Sequence, residues 1–289
     1  MLVEERAYAK INLALDVFDK RPDGYHEVKM VMQSINLFDN ISITESDCLH
    51  VQTVGAELPD DERNIAFKAA QAICHYAGIK PTVYIKIEKK IPLGAGLAGG
   101  STDAAAVLRG LKKFYQLAID DVELAVIAAG IGSDVPFCLH GGTALATGRG
   151  EIVVQLPPAP IFDIVLANPG FEVSTAWVYN NYSRLLVKES PNIEKVIEAI
   201  KCKGKRLLAE NIFNVLENVT AKEYTIINEI KAIMVENGAM ASLMSGSGST
   251  VFAFAENKKA AATIAAAVQS KTDAKVWVSK TRGVAQKDE

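Results

Sequence analysis

Paired cysteines are missing from this chain. Cys48, Cys74, Cys138 and Cys202 stand singly, with no CxxC among them, and the four histidines are isolated too. That spacing argues against a zinc site and a disulfide framework and fits reduced thiols in a cytoplasm. Long apolar runs are also missing, none approaching the roughly 20 residues that a membrane-spanning helix requires. The opening residues, Met1-Leu-Val-Glu-Glu-Arg, carry acid early and lack the apolar core of a signal peptide. Nor is there an excess of one charge. Lys and Arg number 31 against 34 Asp and Glu, a net −3, so no chain-wide basic field awaits nucleic acid or an acidic membrane. Neither an internal repeat nor a low-complexity segment is present. What remains, 49% apolar and 22% charged residues out of 289, is the composition of a soluble globular protein expected in the cytoplasm. The length favours two domains and leaves monomer and homodimer open.

Residues 10–17 alternate strictly. Ile11, Leu13, Leu15 and Val17 take one face of a half-buried strand, and Lys10, Asn12, Ala14 and Asp16 take the other, with Asp16 read as a surface residue. Pro22-Asp-Gly24 makes a turn, and strands are expected near 27–37, 40–45 and 49–54. Asn64 is placed to open a helix that ends near Gly78. Val83, Ile85 and Ile87 alternate again, leading into a glycine-rich stretch, a helix over 101–115 and another over 121–131. Leu156-Pro-Pro-Ala-Pro160 interrupts all regular structure and is the expected seam between a domain of residues 1–157 and one of 161–289. Beyond it the pattern predicts a strand over 162–167, helices near 174–183, 192–202 and 206–217, then helix 221–237, strands 239–244 and 250–255, helix 257–269 and strand 274–279. That order is the split βαβ of ferredoxin-like domains.

The most informative segment is Ile91-Pro-Leu-Gly-Ala-Gly-Leu-Ala-Gly-Gly-Ser-Thr-Asp-Ala104. Its glycines let the backbone approach another group closely. The helix start behind them offers unpaired N–H groups and the positive end of a dipole, a combination suited to phosphates. A Walker A loop would end in Gly-Lys-Ser/Thr, and no lysine follows Gly100. A dinucleotide fingerprint can be forced onto Gly94, Gly96 and Gly99, but Glu88, Lys89, Lys90 and Pro92 are unlike the buried strand that should precede it.

Pro-x-x-x-Gly-Leu-Ala-Gly-Gly-Ser-Thr resembles the phosphate loop of the GHMP kinases. Gly132-Ser-Asp-Val-Pro136 resembles the segment carrying that family's catalytic aspartate, and Ser245-Gly-Ser-Gly248 resembles its C-terminal glycine loop. The three stand in the family's order. The resemblance implies an α+β, two-domain kinase fold, with an N-terminal mixed-sheet domain bearing helices and a C-terminal ferredoxin-like domain. It also implies transfer of the γ-phosphoryl of ATP to a hydroxyl, with Mg²⁺. Many members read Gly-Leu-Gly-Ser-Ser-Ala, whereas Gly99-Gly100 stand here at the serine positions. Ser101 or Thr102 could therefore hold Mg²⁺, or phosphates and waters could hold it largely alone.

By the same resemblance Asp134 is the catalytic base, although an aspartate after Gly-Ser also suits a helix cap. Lys10 is its partner, keeping it ionised and favouring the alkoxide, and Asn12 orients the hydroxyl. Asn64 and Lys89 lie near adenine, and Pro92, Leu93, Gly94, Ala95, Gly96, Leu97, Ala98, Gly99, Gly100, Ser101 and Thr102 surround the phosphates. Asn64 serves equally well as an N-cap. Asp103 gets no catalytic role, because a carboxylate beside phosphates repels them unless it is offset. Ala9-Lys-Ile-Asn12 and Arg21-Pro-Asp-Gly-Tyr-His26 resemble the branch of the family whose small-molecule substrate is a cytidine diphosphate carrying a branched polyol. There Tyr25 would stack on cytosine, His26 would bond its edge, and the second ring would be Tyr179, with Trp177 and Tyr182 close by. A homoserine- or mevalonate-like alcohol, or a non-catalytic nucleotide-binding relative, is the competing reading. Tyr25 and His26 discriminate, since those alcohols have no pyrimidine to stack.

Overall fold

The computed structural model describes residues 1–283, Leu186 by its backbone only. The chain packs as two compact units, each assembled from separated segments. Met1–Ala9, Leu37–Leu93 and Ala98–His140 form the first, and Lys10–Asn36, Gly94–Leu97 and the chain from Gly141 onward form the second. Strands β1 (Leu2–Lys20) and β2 (His26–Glu45) are long enough to contribute to both.

In the first unit, β3 (His50–Val54) is followed by α1 (Ile65–Tyr76), β4 (Val83–Glu88), α2 (Gly99–Phe114), α3 (Asp121–Ile131) and α4 (Val135–His140). The end of β2 runs antiparallel to β4, with Ile41 opposite Ile87 and Ile43 opposite Ile85, and β3 pairs with β4 in parallel. Val83, Ile85 and Ile87 are fully buried while Tyr84, Lys86 and Glu88 are half-buried, as their alternation demands. Each buried isoleucine contributes about 1.5–3 kcal/mol relative to an exposed one. Helix α1 begins where the Asn64 side chain accepts from Ala66 N, and it buries Ala66, Ala69, Ala70 and Ile73, one helical stripe. Helix α3 carries a full capping box, Asp120 with Glu123.

The second unit adds β5 (Thr143–Thr147), β6 (Ile152–Gln155), β7 (Asp163–Asn168), α5 (Thr175–Asn181), α6 (Ile193–Lys201), α7 (Lys205–Ala209), β8 (Phe213–Asn214), α8 (Glu217–Glu223), α9 (Ile226–Glu236), β9 (Ala241–Met244), β10 (Val251–Ala255), α10 (Lys258–Lys271) and β11 (Lys275–Lys280). Here β1 pairs with β8, and Met30–Gln33 of β2 pairs with β5, which turns back onto β6. A separate sheet has the order β11-β7-β10-β9, antiparallel throughout. With α9 and α10 in their places, this is the expected ferredoxin-like arrangement. Its core includes Phe162 stacked on Phe254 at 4.0 Å between centroids.

Several elements depart from expectation. The strands expected over 27–37 and 40–45 are one continuous β2. The helix expected over 206–217 is α7 followed by the short β8, because Phe213 and Asn214 pair with β1. The helix expected over 221–237 is two, α8 and α9, broken where Tyr224 leaves helical geometry. The β5–β6 hairpin carries no alternation strong enough to announce it. Residues 10–17 are buried on both faces rather than half-buried, and Asp16 is not at the surface: it is buried, accepting from Val17 N and from Arg184 Nη1 at 2.5 Å. Among the described residues no helix is long and apolar enough to cross a membrane.

Candidate functional site

The glycine-rich stretch begins in the first unit, at the end of β4. Asp39, wholly buried on β2, accepts backbone N–H bonds from Lys90 at 2.5 Å and Ile91 at 2.9 Å. Its other oxygen meets Lys89 Nζ at 2.5 Å, and Lys89 Nζ also meets Asp103 Oδ2 at 2.7 Å. Burial works against the Lys89 ammonium, but the two carboxylates outweigh it and hold its pKa above the ordinary value. Burial pushes the Asp103 carboxyl up and Asp39 adds to this; Lys89 pulls the other way, and the result is about 8. The carboxyl that looked awkward beside a phosphate loop is thus pushed toward its neutral form by burial and bonded to Lys89 Nζ.

The stretch ends on α2. Ala98 takes a left-handed conformation, φ +57°, at the N-cap position, and no side chain caps the helix. The first N–H groups of a 16-residue helix are therefore without a side-chain cap, the arrangement that receives anions. The Thr102 hydroxyl is committed elsewhere, donating to Tyr8 O at 2.7 Å. Asn64 is buried with Oδ1 capping α1 and Nδ2 donating to Pro59 O at 2.9 Å, which leaves one donor and one acceptor of its amide in hand. Asp134 is half-buried and stands at the start of α4, its carbonyl accepting from Cys138 N. The expected cap position is thus real at the backbone, and a cap does not preclude a chemical role for the carboxylate.

The middle of the stretch, Gly94–Leu97, belongs to the second unit together with Lys10 and Asn12. Lys10 is buried. Its Nζ donates to Asn12 Oδ1 at 2.8 Å and to Gly96 O at 3.2 Å, and its backbone N–H donates to Leu97 O. The structure thus brings Lys10, Asn12 and the loop together. The segment Ser245–Ser249 joins them: Ser245 Oγ donates to Gly96 O at 2.9 Å, and Thr250 N donates to Ala95 O. Gly96 has φ +76°, and a Cβ there would lie 2.0 Å from Ser245 O, so only glycine fits. Asn214 Nδ2 donates to both Met244 O and Gly246 O at 2.8 Å, and Asn168 Nδ2 donates to Thr250 Oγ1 at 3.1 Å. Asp39, Asn168 and Asn214 are the organising residues that the sequence reading missed. Each sits in or at the end of a short apolar run, Asp39 after Leu37-Phe38, Asn168 after Ile164–Ala167 and Asn214 between Phe213 and Val215, a weak signal that only the fold interprets.

An aromatic group lies at the β1–β2 turn of the same unit. His26 Nδ1 is 3.0 Å from Phe18 O; a carbonyl only accepts, so Nδ1 carries the proton, and in the neutral ring Nε2 is an acceptor. The His26 ring lies 5.7 Å from Tyr179 and 6.1 Å from Tyr182. Tyr182 is buried with its hydroxyl donating to Val17 O, and Trp177 packs on Tyr224. Tyr25 is 52% exposed, with Arg149 Cζ 5.2 Å from its ring centroid.

This geometry meets its counterparts in known proteins. Residues 64–142 match the GHMP kinases N terminal domain and residues 205–274 match the GHMP kinases C terminal. The chain belongs to the GHMP kinases. Within that family it is 51% identical to a 4-diphosphocytidyl-2-C-methyl-D-erythritol kinase of Bacillus pumilus, over 87% of this chain and 88% of that one. It is 48% identical to the protein of the same name from Caldicellulosiruptor bescii, over 88% of this chain and 89% of that one. A crystal structure of 4-(cytidine 5'-diphospho)-2C-methyl-D-erythritol kinase superposes with a TM-score of 0.82 at 33% identity, covering 97% of this chain and 99% of that one.

Proposed function

We propose that the protein is an ATP-dependent kinase that phosphorylates a hydroxyl of 4-diphosphocytidyl-2-C-methyl-D-erythritol, within the non-mevalonate route to isoprenoid precursors. The observation that carries this reading is identity near one half, over nearly nine-tenths of the chain, to relatives bearing that enzyme's name. A division along the sequence into an N-terminal domain of residues 1–157 and a C-terminal domain of 161–289 is part of it, since the two family matches fall on either side of 157–161, although the compact units do not follow that seam. So is a cytoplasmic location.

The residue roles follow from motif and chemistry together. Backbone amides of 94–102, with the open start of α2, hold the phosphates, flanked by Pro92 and Leu93; Asn64 and Lys89 belong to the adenine side. ATP would supply the phosphoryl group, and Mg²⁺ bound with it would offset the charge on the phosphates. Ser101 and Thr102, at the start of α2, are the side chains that could hold it beside phosphates and water; the Thr102 hydroxyl donates to Tyr8 O and keeps its oxygen lone pairs. Asp134 accepts the proton of the substrate hydroxyl as its oxygen bonds to the γ-phosphorus and the bond to ADP breaks. Lys10 favours the developing alkoxide, and Asn12, bonded to Lys10, orients the hydroxyl.

Tyr25 and Tyr179 stack on the base. His26 Nε2, an acceptor, suits the exocyclic amine of cytosine and not the carbonyl that uracil presents in its place. Cytidine should therefore be preferred over uridine by about 10-fold or more. The test is phosphorus NMR of the full chain with ATP and the cytidylyl polyol. A new phosphomonoester on the polyol with stoichiometric ADP supports the reading; ATP left intact contradicts it.

A further inference from the structure

Asp39, Lys89 and Asp103 are three buried titratable groups; the reading above puts Lys89 on the adenine side and gives Asp39 and Asp103 no part. Their side chains are 0%, 2% and 2% exposed. Asp39 fixes the backbone of Lys90 and Ile91, where the phosphate loop begins. Asp103 projects from α2, where the loop ends. Lys89 bonds to both carboxylates and packs beneath the first residue of that helix: a Cβ built on Gly99 would lie 3.2 Å from its Nζ. Residues 92–98 therefore leave and return to points joined by one ammonium. Buried ion clusters are poor stabilisers, because desolvation costs about what the attraction returns. This one also leaves Asp103 Oδ1 buried without a hydrogen-bond partner, a further cost. Stability does not account for it; its position across both ends of the loop does.

We propose that Asp39, Lys89 and Asp103 form a clamp that sets the spacing between the two ends of the phosphate loop, making Lys89 and Asp103 positioning residues for nucleotide binding. The proposal rests on the reading of 92–102 as the phosphate loop.

The test compares the full-length parent with Lys89→Met, Asp103→Asn and the double variant, measuring kcat, KM for ATP and KM for the cytidylyl polyol, with thermal unfolding alongside. Asp103→Asn is nearly isosteric and carries the test if Lys89→Met, which strands two buried carboxylates, does not fold. The clamp predicts that KM for ATP rises about 10- to 100-fold, the scale of a misplaced contact, while KM for the polyol stays within about two-fold. It also predicts a double variant no worse for ATP than Lys89→Met, since both changes open one clamp. Folded variants with parental KM for ATP would overturn the clamp while leaving the kinase reading intact. So would a fall in activity that merely tracks a smaller folded fraction, with both KM values parental. A parent that consumes no ATP with the polyol would overturn the kinase reading and the clamp with it.

Discussion

Asp134 already has a backbone duty at the start of α4, and its carboxylate is the base proposed above. Replacing it with Asn keeps size and shape, so Asp134→Asn is expected to melt as the parent does and to lower kcat by about 10²–10⁴. Parental turnover would remove it from the chemistry. Lys10→Met should lower kcat as well, and it also loses the bonds to Gly96 O and Asn12. If it changed only ATP affinity, its place at the hydroxyl would be wrong. Asp103 gives a prediction of a different kind. Its carboxyl titrates near 4 when unfolded and about 8 when folded, so the folded protein holds a proton that the unfolded chain has released. Stability from this group is complete below about pH 4 and is lost as pH rises toward 8, with Lys89 and Asp39 the charges that face it. Urea midpoints at pH 5, 7 and 9 should fall more steeply for the parent than for Asp103→Asn. Parallel curves would mean that Asp103 is ionised throughout.

The phosphate loop is where individual residues become an element, and two substitutions in it should act in opposite directions. Gly96→Ala drives a methyl into Ser245 O and holds alanine at φ +76°, so it is expected to cost about 3 kcal/mol in urea unfolding. Ala98→Gly relieves a left-handed alanine and should gain about 0.5–1 kcal/mol. A destabilised Ala98→Gly would show that this backbone is not strained in solution. The glycine-rich turn into α2 was legible in the sequence because its determinants are local: glycines and a start of small residues. The same holds for α1 behind Asn64 and for α3 behind its Asp120 capping box. Burial of Lys10, Asn12 and Asp16 was not legible. Alternation reports only that two faces differ, whereas β8, Arg184 and Ser245–Ser249 come from more than 160 residues further along the chain. The split of 206–217 into α7 and β8 has the same cause, since Phe213 and Asn214 are drawn into pairing with β1.

At the scale of the molecule, both family matches, the ferredoxin-like strand order and the aromatic group around His26 point to one activity, and the substrate is where that activity is most specific. Homoserine and mevalonate offer no pyrimidine, so the base slot proposed for Tyr25, His26 and Tyr179 suits only an alcohol that carries cytidine. Each stacking contact is worth about 1–3 kcal/mol, so Tyr25→Ala or Tyr179→Ala should raise KM for the cytidylyl substrate by about ten-fold or more and leave KM for ATP nearly unchanged. The most direct measurement is ATP consumption by the full chain, compared across 4-diphosphocytidyl-2-C-methyl-D-erythritol, homoserine and mevalonate at equal concentration. The account predicts turnover with the cytidylyl polyol, inhibited by CMP, and kcat/KM lower by about 10⁴ or more for the other two, the scale on which a site built around hydrogen-bonding groups rejects ligands that lack their partners. Comparable kcat/KM for homoserine or mevalonate, or no turnover of the cytidylyl polyol, would contradict it.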